Sequence, residues 1–232
     1  MAAFLEGKDL SPQSRKHLRM FLQRIYNTLR KADLFAGSLP TDGVDAPRVM
    51  RKAPAYLRAE DVRRFLACAP DAEWQEMCAV AVYAGLRRGE IFRLTVDDVD
   101  TRDWVLSVTG TKTDADRVVA VHPELRPYVL RAIERRRSGL LWPGKGGNQR
   151  SGDSKAADRV AKMCARAGIP KVTFHALRHT WASHLTMSGA NPSAIEAMGW
   201  SGGTGKVRVD VYQHLSPVFL NAELAKLHYP EG

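Results

Sequence analysis

The stretch TFHALRHTWASHL, Thr173 to Leu185, places three of the chain's seven histidines around one arginine on a single short segment. On a helix, residues three and four apart share a face, so His175 stands beside both Arg178 and His179, while Leu177, Trp181 and Leu185 cover other sides. One patch thereby gathers a cation and two imidazoles. An isolated H-x-x-R pair more often serves packing or solvation than chemistry, so the pattern has to be read with the rest of the chain. A zinc reading fails on its neighbour: the protease motif needs a glutamate beside the first histidine, and position 176 is alanine. No metal is expected.

Three further pieces carry chemistry. In YAGLRRGEIFRL, Tyr83 to Leu94, a mainly apolar helix ends at Gly85, and Glu90 lies three residues after Arg87, in reach of its guanidinium. Taken singly, this could be a solvated pair on an exposed turn. In DWVLSVTG and DRVVAV, two segments of strand composition flank the polar TKTDA, which reads as a β-hairpin with Lys112 at its turn. In DVYQHL, Tyr212 precedes a terminal helix; most tyrosines are packing residues with a wet hydroxyl. GLLWPGKGG, Gly139 to Gly147, approaches a phosphate-binding loop, but Gly146 stands where serine or threonine would hold magnesium. It is expected to be a flexible loop, and nucleotide hydrolysis is not expected.

The 232 residues carry 35 Lys and Arg against 25 Asp and Glu, a net charge of +10. That balance favours a polyanionic partner, of which nucleic acid is the commonest. The surplus is spread along helical segments, as on the faces of folded helices. Three cysteines with no C-x-x-C support neither a disulfide framework nor a cysteine zinc site. No apolar run approaches the ~20 residues of a membrane span, and a cytoplasmic protein is expected. Apolar residues at helical spacing through SPQSRKHLRMFLQRIYNTLRKADL predict an amphipathic helix from Ser11, followed by a linker over 36–56. Helices are further expected in RAEDVRRFLACA, DAEWQEMCAVAVYAGL, PELRPYVLRAIERRR, SKAADRVAKMCARAG, FHALRHTWASHLTMSG, NPSAIEAMG and SPVFLNAELAKLHY. The fold class is mainly α with a small antiparallel β-sheet.

In their order, GLRRGEI, TGTKTDADRVVAVHP, FHALRHTWASHL and MGW…VYQHL resemble the motifs of the tyrosine recombinase (phage integrase) family. The resemblance implies a catalytic domain over 57–232, preceded by the C-terminal part of a helical core-binding domain or arm over 1–35, with both a fragment of a longer protein and a minimal protein left open. It implies Arg87 and Arg178 as a phosphate clamp, Lys112 as general acid toward the leaving 5′ oxygen, His175 as proton acceptor or donor, Trp200 at a His-or-Trp position and Tyr212 as nucleophile. Glu90 and His179 would be supporting residues. The partner would be double-stranded DNA, cut and rejoined through a 3′-phosphotyrosyl intermediate that needs no cofactor. The family acts as a homo-tetramer on two DNA sites, with a monomer also open for the free protein; no membrane partner is expected.

The chain departs from the family's pattern in places. GGTGKVRV lengthens the spacing from Trp200 to Tyr212, RVDV replaces the usual threonines before the tyrosine, and Ala176 occupies an often acidic position. Two other functions stay open from residues alone: a type IB topoisomerase-like relaxing enzyme, and a catalytically idle DNA-binding accessory protein with this fold. SPVFLNAELAKLHY could pack on a neighbouring subunit or on its own core.

Overall fold

The computed structural model describes residues 10–49, 55–109, 116–150, 153–200 and 216–230. They fall into two compact units, Met1–Ala53 and Pro54–Gly232.

In the first unit, α1 (Pro12–Lys31) starts where the Ser11 hydroxyl accepts from the Ser14 N–H at 3.1 Å, with proline in the first turn, and ends on the basic Arg30 and Lys31. No residue of α1 is buried; Phe21 and Ile25 are exposed. The stretch after it, expected to be a linker, has no regular element among its described residues 36–49, yet it folds back on this helix. Arg19 donates from Nε to the Val44 carbonyl at 3.0 Å, Arg30 donates to the Gly37 carbonyl, and Thr41 is buried. A long guanidinium can satisfy the carbonyls of an irregular chain, a contact that periodicity does not encode.

The second unit is built around α3 (Ala72–Tyr83), capped by Asp71 and buried from Trp74 through Tyr83 save for Gln75. A helix that is mostly apolar around its circumference belongs inside a core. Around it stand α2 (Ala59–Ala67), which buries Val62, Phe65 and Leu66, the short α4 (Arg88–Ile91), α5 (Arg126–Arg136), α6 (Asp153–Ala167) and α7 (Phe174–Met187). The charges that α3 buries are paired: Glu76, fully enclosed, accepts from Trp142 Nε1 at 2.8 Å and from Arg135. The strands expected near 103–110 and 116–121 are β2 (Val105–Val108) and β3 (Arg117–Ala120), antiparallel with Val105 opposite Ala120. A two-residue strand β1 (Val99–Asp100), absent from the sequence reading, pairs with β2 on its other edge.

Helix α8 (Pro192–Ala197) is capped by Asn191, and α9 (Pro217–Leu224) by Ser216. The terminal helix is shorter than expected, and it docks on its own chain. Leu220, Leu224, Leu227 and Tyr229 are buried, the Tyr229 hydroxyl donates to the Val82 carbonyl at 2.9 Å, and Asn191 N–H donates to Glu223. The segment Gly139–Gly147, expected to be a flexible loop, instead buries Leu141 and Trp142 and pairs Leu140 with Thr95 in an isolated bridge. Two large apolar side chains override the loop signal of its glycines. Among the described residues no helix is long and apolar enough to cross a membrane, and no group of three His, Cys, Asp or Glu is placed to hold a metal.

Candidate active site

Arginines from the start of α4, strand β3 and helix α7 meet at one carboxylate, that of Glu90, and two of them also reach carbonyls that follow α3 and α8. Gly85 closes α3 in a left-handed conformation, φ +66°, and a Cβ there would lie 2.3 Å from the Trp181 ring. Only glycine lets the backbone turn that sharply against an indole. The turn sets Arg87 at the N-cap of α4, where its N–H donates to Glu90 Oε2 at 2.7 Å and its Nη1 donates to Oε1 at 3.0 Å. Glu90 itself is buried.

Helix α7 begins with the Thr173 hydroxyl capping Ala176 N–H, and packs Leu177, Trp181 and Leu185 inward. The opposite part of the helix presents His175 and His179, while Arg178 points into the space between Gly85 and Gly199. Arg178 is only 3% exposed; Nη1 donates to the Gly85 carbonyl and Nη2 to the Gly199 carbonyl, both at 2.5 Å, and Nη1 lies 3.9 Å from Glu90 Oε2. A buried guanidinium is tolerable only with such partners. Its Cζ sits 5.3 Å from the centre of the Trp200 ring, close enough for a cation–π attraction. His179 bridges edge-on between His175 and Trp200, at centroid distances of 4.7 and 5.0 Å. Arg87, Glu90, His175, Arg178, His179 and Trp200 are thus brought together. Lys112 and Tyr212 lie outside the described residues. His184, by contrast, faces away: its Nε2 is 2.8 Å from the Leu57 carbonyl and its ring packs against Tyr229.

The electrostatics follow from this crowding of cations. Burial alone would raise the Glu90 carboxyl, but the bond and charge of Arg117, followed by the bonds from Arg87, outweigh it and hold the group below the usual carboxylate range. Partial burial pushes His175 below the usual imidazole range, and the Arg178 and Arg87 charges push the same way. His179 is lowered by burial, by His175 and by Arg178. Both rings are therefore mostly neutral at pH 7, the form able to accept a proton. The Nδ1 of His179 is shielded, with no hydrogen-bond partner among the described residues.

Sequence reasoning missed Arg117. It leaves β3 with its side chain 8% exposed, donates from Nη2 to Glu90 Oε2 at 2.8 Å, and donates from Nε to the Met198 carbonyl at 3.0 Å. An arginine opening a strand carries no signal of a partner 81 residues away.

Residues 55–216 match the model of the phage integrase family. Among curated proteins, a putative integrase/recombinase y4qK of Sinorhizobium fredii is 31% identical over 167 residues, 69% of this chain and 53% of its own length. Tyrosine recombinase XerA of Thermococcus kodakarensis is 31% identical over 158 residues, 66% of this chain and 56% of its own. The chain spans about half the length of these two relatives. Among solved structures, the integrase of the Tn1549 transposon in complex with circular intermediate DNA superposes with a TM-score of 0.69 at 19% identity, over 96% of this chain and 82% of that one, a likeness of fold.

Proposed function

The chain belongs to the phage integrase family, and we propose that it is a site-specific DNA recombinase that cuts and rejoins strands through Tyr212. The observation that carries this reading is the convergence of Arg87 and Arg178 on one buried carboxylate, with His175 and Trp200 alongside. Two guanidiniums fixed before DNA arrives are what a phosphodiester needs. Charge shifts and spreads over its non-bridging oxygens during attack, and one preorganised donor in such a position is typically worth ~100- to 1000-fold in rate.

In this reading the Tyr212 oxygen attacks phosphorus, the new tyrosyl O–P bond forms and the P–O5′ bond breaks. The phenol proton passes to His175, whose neutral ring can receive it. Lys112 delivers a proton to the leaving 5′ oxygen, and the Trp200 indole N–H positions phosphate without exchanging a proton. His179 orients His175. Rejoining reverses these steps on another 5′ hydroxyl, so the energy of the broken bond is kept in the phosphotyrosine and no nucleotide is consumed. The net charge of +10 suits a duplex DNA partner, and strand exchange needs two sites held by four copies.

Incubation with a nicked suicide duplex tests the reading. A covalent protein–DNA adduct that disappears in Tyr212→Phe is expected; an adduct retained by that variant contradicts it. Strand exchange between two sites, as opposed to relaxation of a single supercoiled circle, is the expected outcome of turnover.

A further inference from the structure

Glu90 attracts Arg178 by charge and does not fix the direction of its fork. At 3.9 Å the pair is an ion pair without a hydrogen bond, and two backbone carbonyls, Gly85 O and Gly199 O, accept from the two ends of the Arg178 fork. The first belongs to the end of a buried helix. The second belongs to the turn after α8, where Gly199 has φ +105° and where Gly199 N–H donates to the Glu196 carbonyl at 2.8 Å and Trp200 N–H to the Ile195 carbonyl at 3.1 Å, bonds that tie the turn to α8.

Arg117 ties that turn to Glu90. Its Nε donates to the Met198 carbonyl while its Nη2 donates to Glu90, so one rigid planar group spans the two. The guanidinium lies against the Gly199 α-carbon: an added Cβ would stand 2.3 Å from Nε and 2.7 Å from Cζ. Glu90 in turn receives Arg87. The gap between the Arg87 turn and the Gly199–Trp200 turn is therefore spanned by two arginine forks, Arg117 from Glu90 to the Met198 carbonyl and Arg178 from the Gly85 carbonyl to the Gly199 carbonyl. Lysine, a single point donor, cannot serve both targets in that geometry.

We propose that Arg117 is a positioning residue for strand cleavage, holding Gly199 and Trp200 at the spacing from Glu90 that orients Arg178 toward the scissile phosphate. This rests on the recombinase reading above. The consequence is specific. Loss of Arg117 loosens one of the two carbonyls that aim Arg178, and a misplacement on the order of 1 Å at a reacting centre can cost about 100-fold, whereas DNA affinity, supplied by many other cations, should hardly change.

The test compares Arg117→Ala and Arg117→Lys with the wild type in three measurements: single-turnover adduct formation on the suicide duplex, DNA affinity in the same buffer, and amide hydrogen exchange of the peptide covering residues 194–200. Cleavage slowed about 100-fold with affinity within about 3-fold, faster exchange in that peptide, and recovery of Arg117→Ala by guanidinium ion at non-denaturing concentration are expected. Should Arg117→Ala fail to fold, Arg117→Lys is read in its place, with the same slowing and the same rise in exchange. Cleavage by either folded variant within about 3-fold of a competent wild type overturns the proposal alone, as do unchanged exchange or equal losses of affinity and rate. A wild type that forms no adduct overturns the reading on which it rests, and then the exchange data report only a structural brace.

Discussion

Removing the Glu90 carboxylate should be among the most destabilising single changes in the second unit. In Glu90→Ala, Arg117 and Arg178, whose side chains are 8% and 4% exposed, would both lose the carboxylate they share. Breaking a buried pair by deleting one partner typically costs about 3–5 kcal/mol. The Arg87 contact adds little, because that side chain is 37% exposed and solvent screens it. At roughly 2–4 °C per kcal/mol for a chain of this size, the melting temperature should drop by about 6–20 °C. Glu90→Gln, which keeps the shape and loses the charge, should fall between the variant and the wild type. Circular dichroism melts at pH 7.5, backed by urea titration, measure both. The sign of the pH dependence provides an internal control. Because the folded-state carboxyl is held below its ordinary value, its contribution is present above the unfolded pKa and is lost as pH falls through the folded one. Wild type and Glu90→Ala should therefore converge in acid. A Glu90→Ala melt within about 2 °C of wild type at pH 7.5, or a gap that stays constant into acid, would refute the reasoning.

Gly85→Ala should destabilise the turn that delivers Arg87, since φ +66° costs an L-residue about 1–2 kcal/mol and the new methyl must displace Trp181, an overpacking cost of typically 1–3 kcal/mol; a urea midpoint equal to wild type would contradict this. Global stability should fall as pH drops below the ordinary histidine value, because His122, His175 and His179 all have folded pKa values lowered chiefly by burial; such groups bind protons more readily when unfolded, so their contribution is complete above that value and lost beneath it. Thermal melts from pH 8 to 5.5 check the direction, and His122→Gln, which removes one of the three, should flatten the slope.

Periodicity made most of this fold legible. The mostly apolar run from Trp74 to Tyr83 announced a buried helix, and the spacing of His175, Arg178 and His179 announced a shared face that the rings in fact share. The Glu90 brace was readable because its partner lies three residues away on the same turn. Contacts made by irregular backbone were not. Arg19 gathering the carbonyls of the linker, Leu141 and Trp142 sinking from a glycine-rich segment, and Arg117 lying flat on Gly199 all depend on chain reversals that a pattern of apolar residues does not specify. The terminal segment illustrates the intermediate case: its apolar residues told that it would be covered, and only the packing of Leu220, Leu224 and Tyr229 told by what.

Mass spectrometry of the protein trapped on a suicide duplex would test the central claim most directly, because it reads out which side chain carries the DNA. After nuclease and protease digestion, a 3′-phosphonucleotide remnant is predicted on Tyr212, with Arg87→Ala giving none. A remnant on any other residue, or a trapped complex that dissociates in denaturant without a covalent mark, would contradict it.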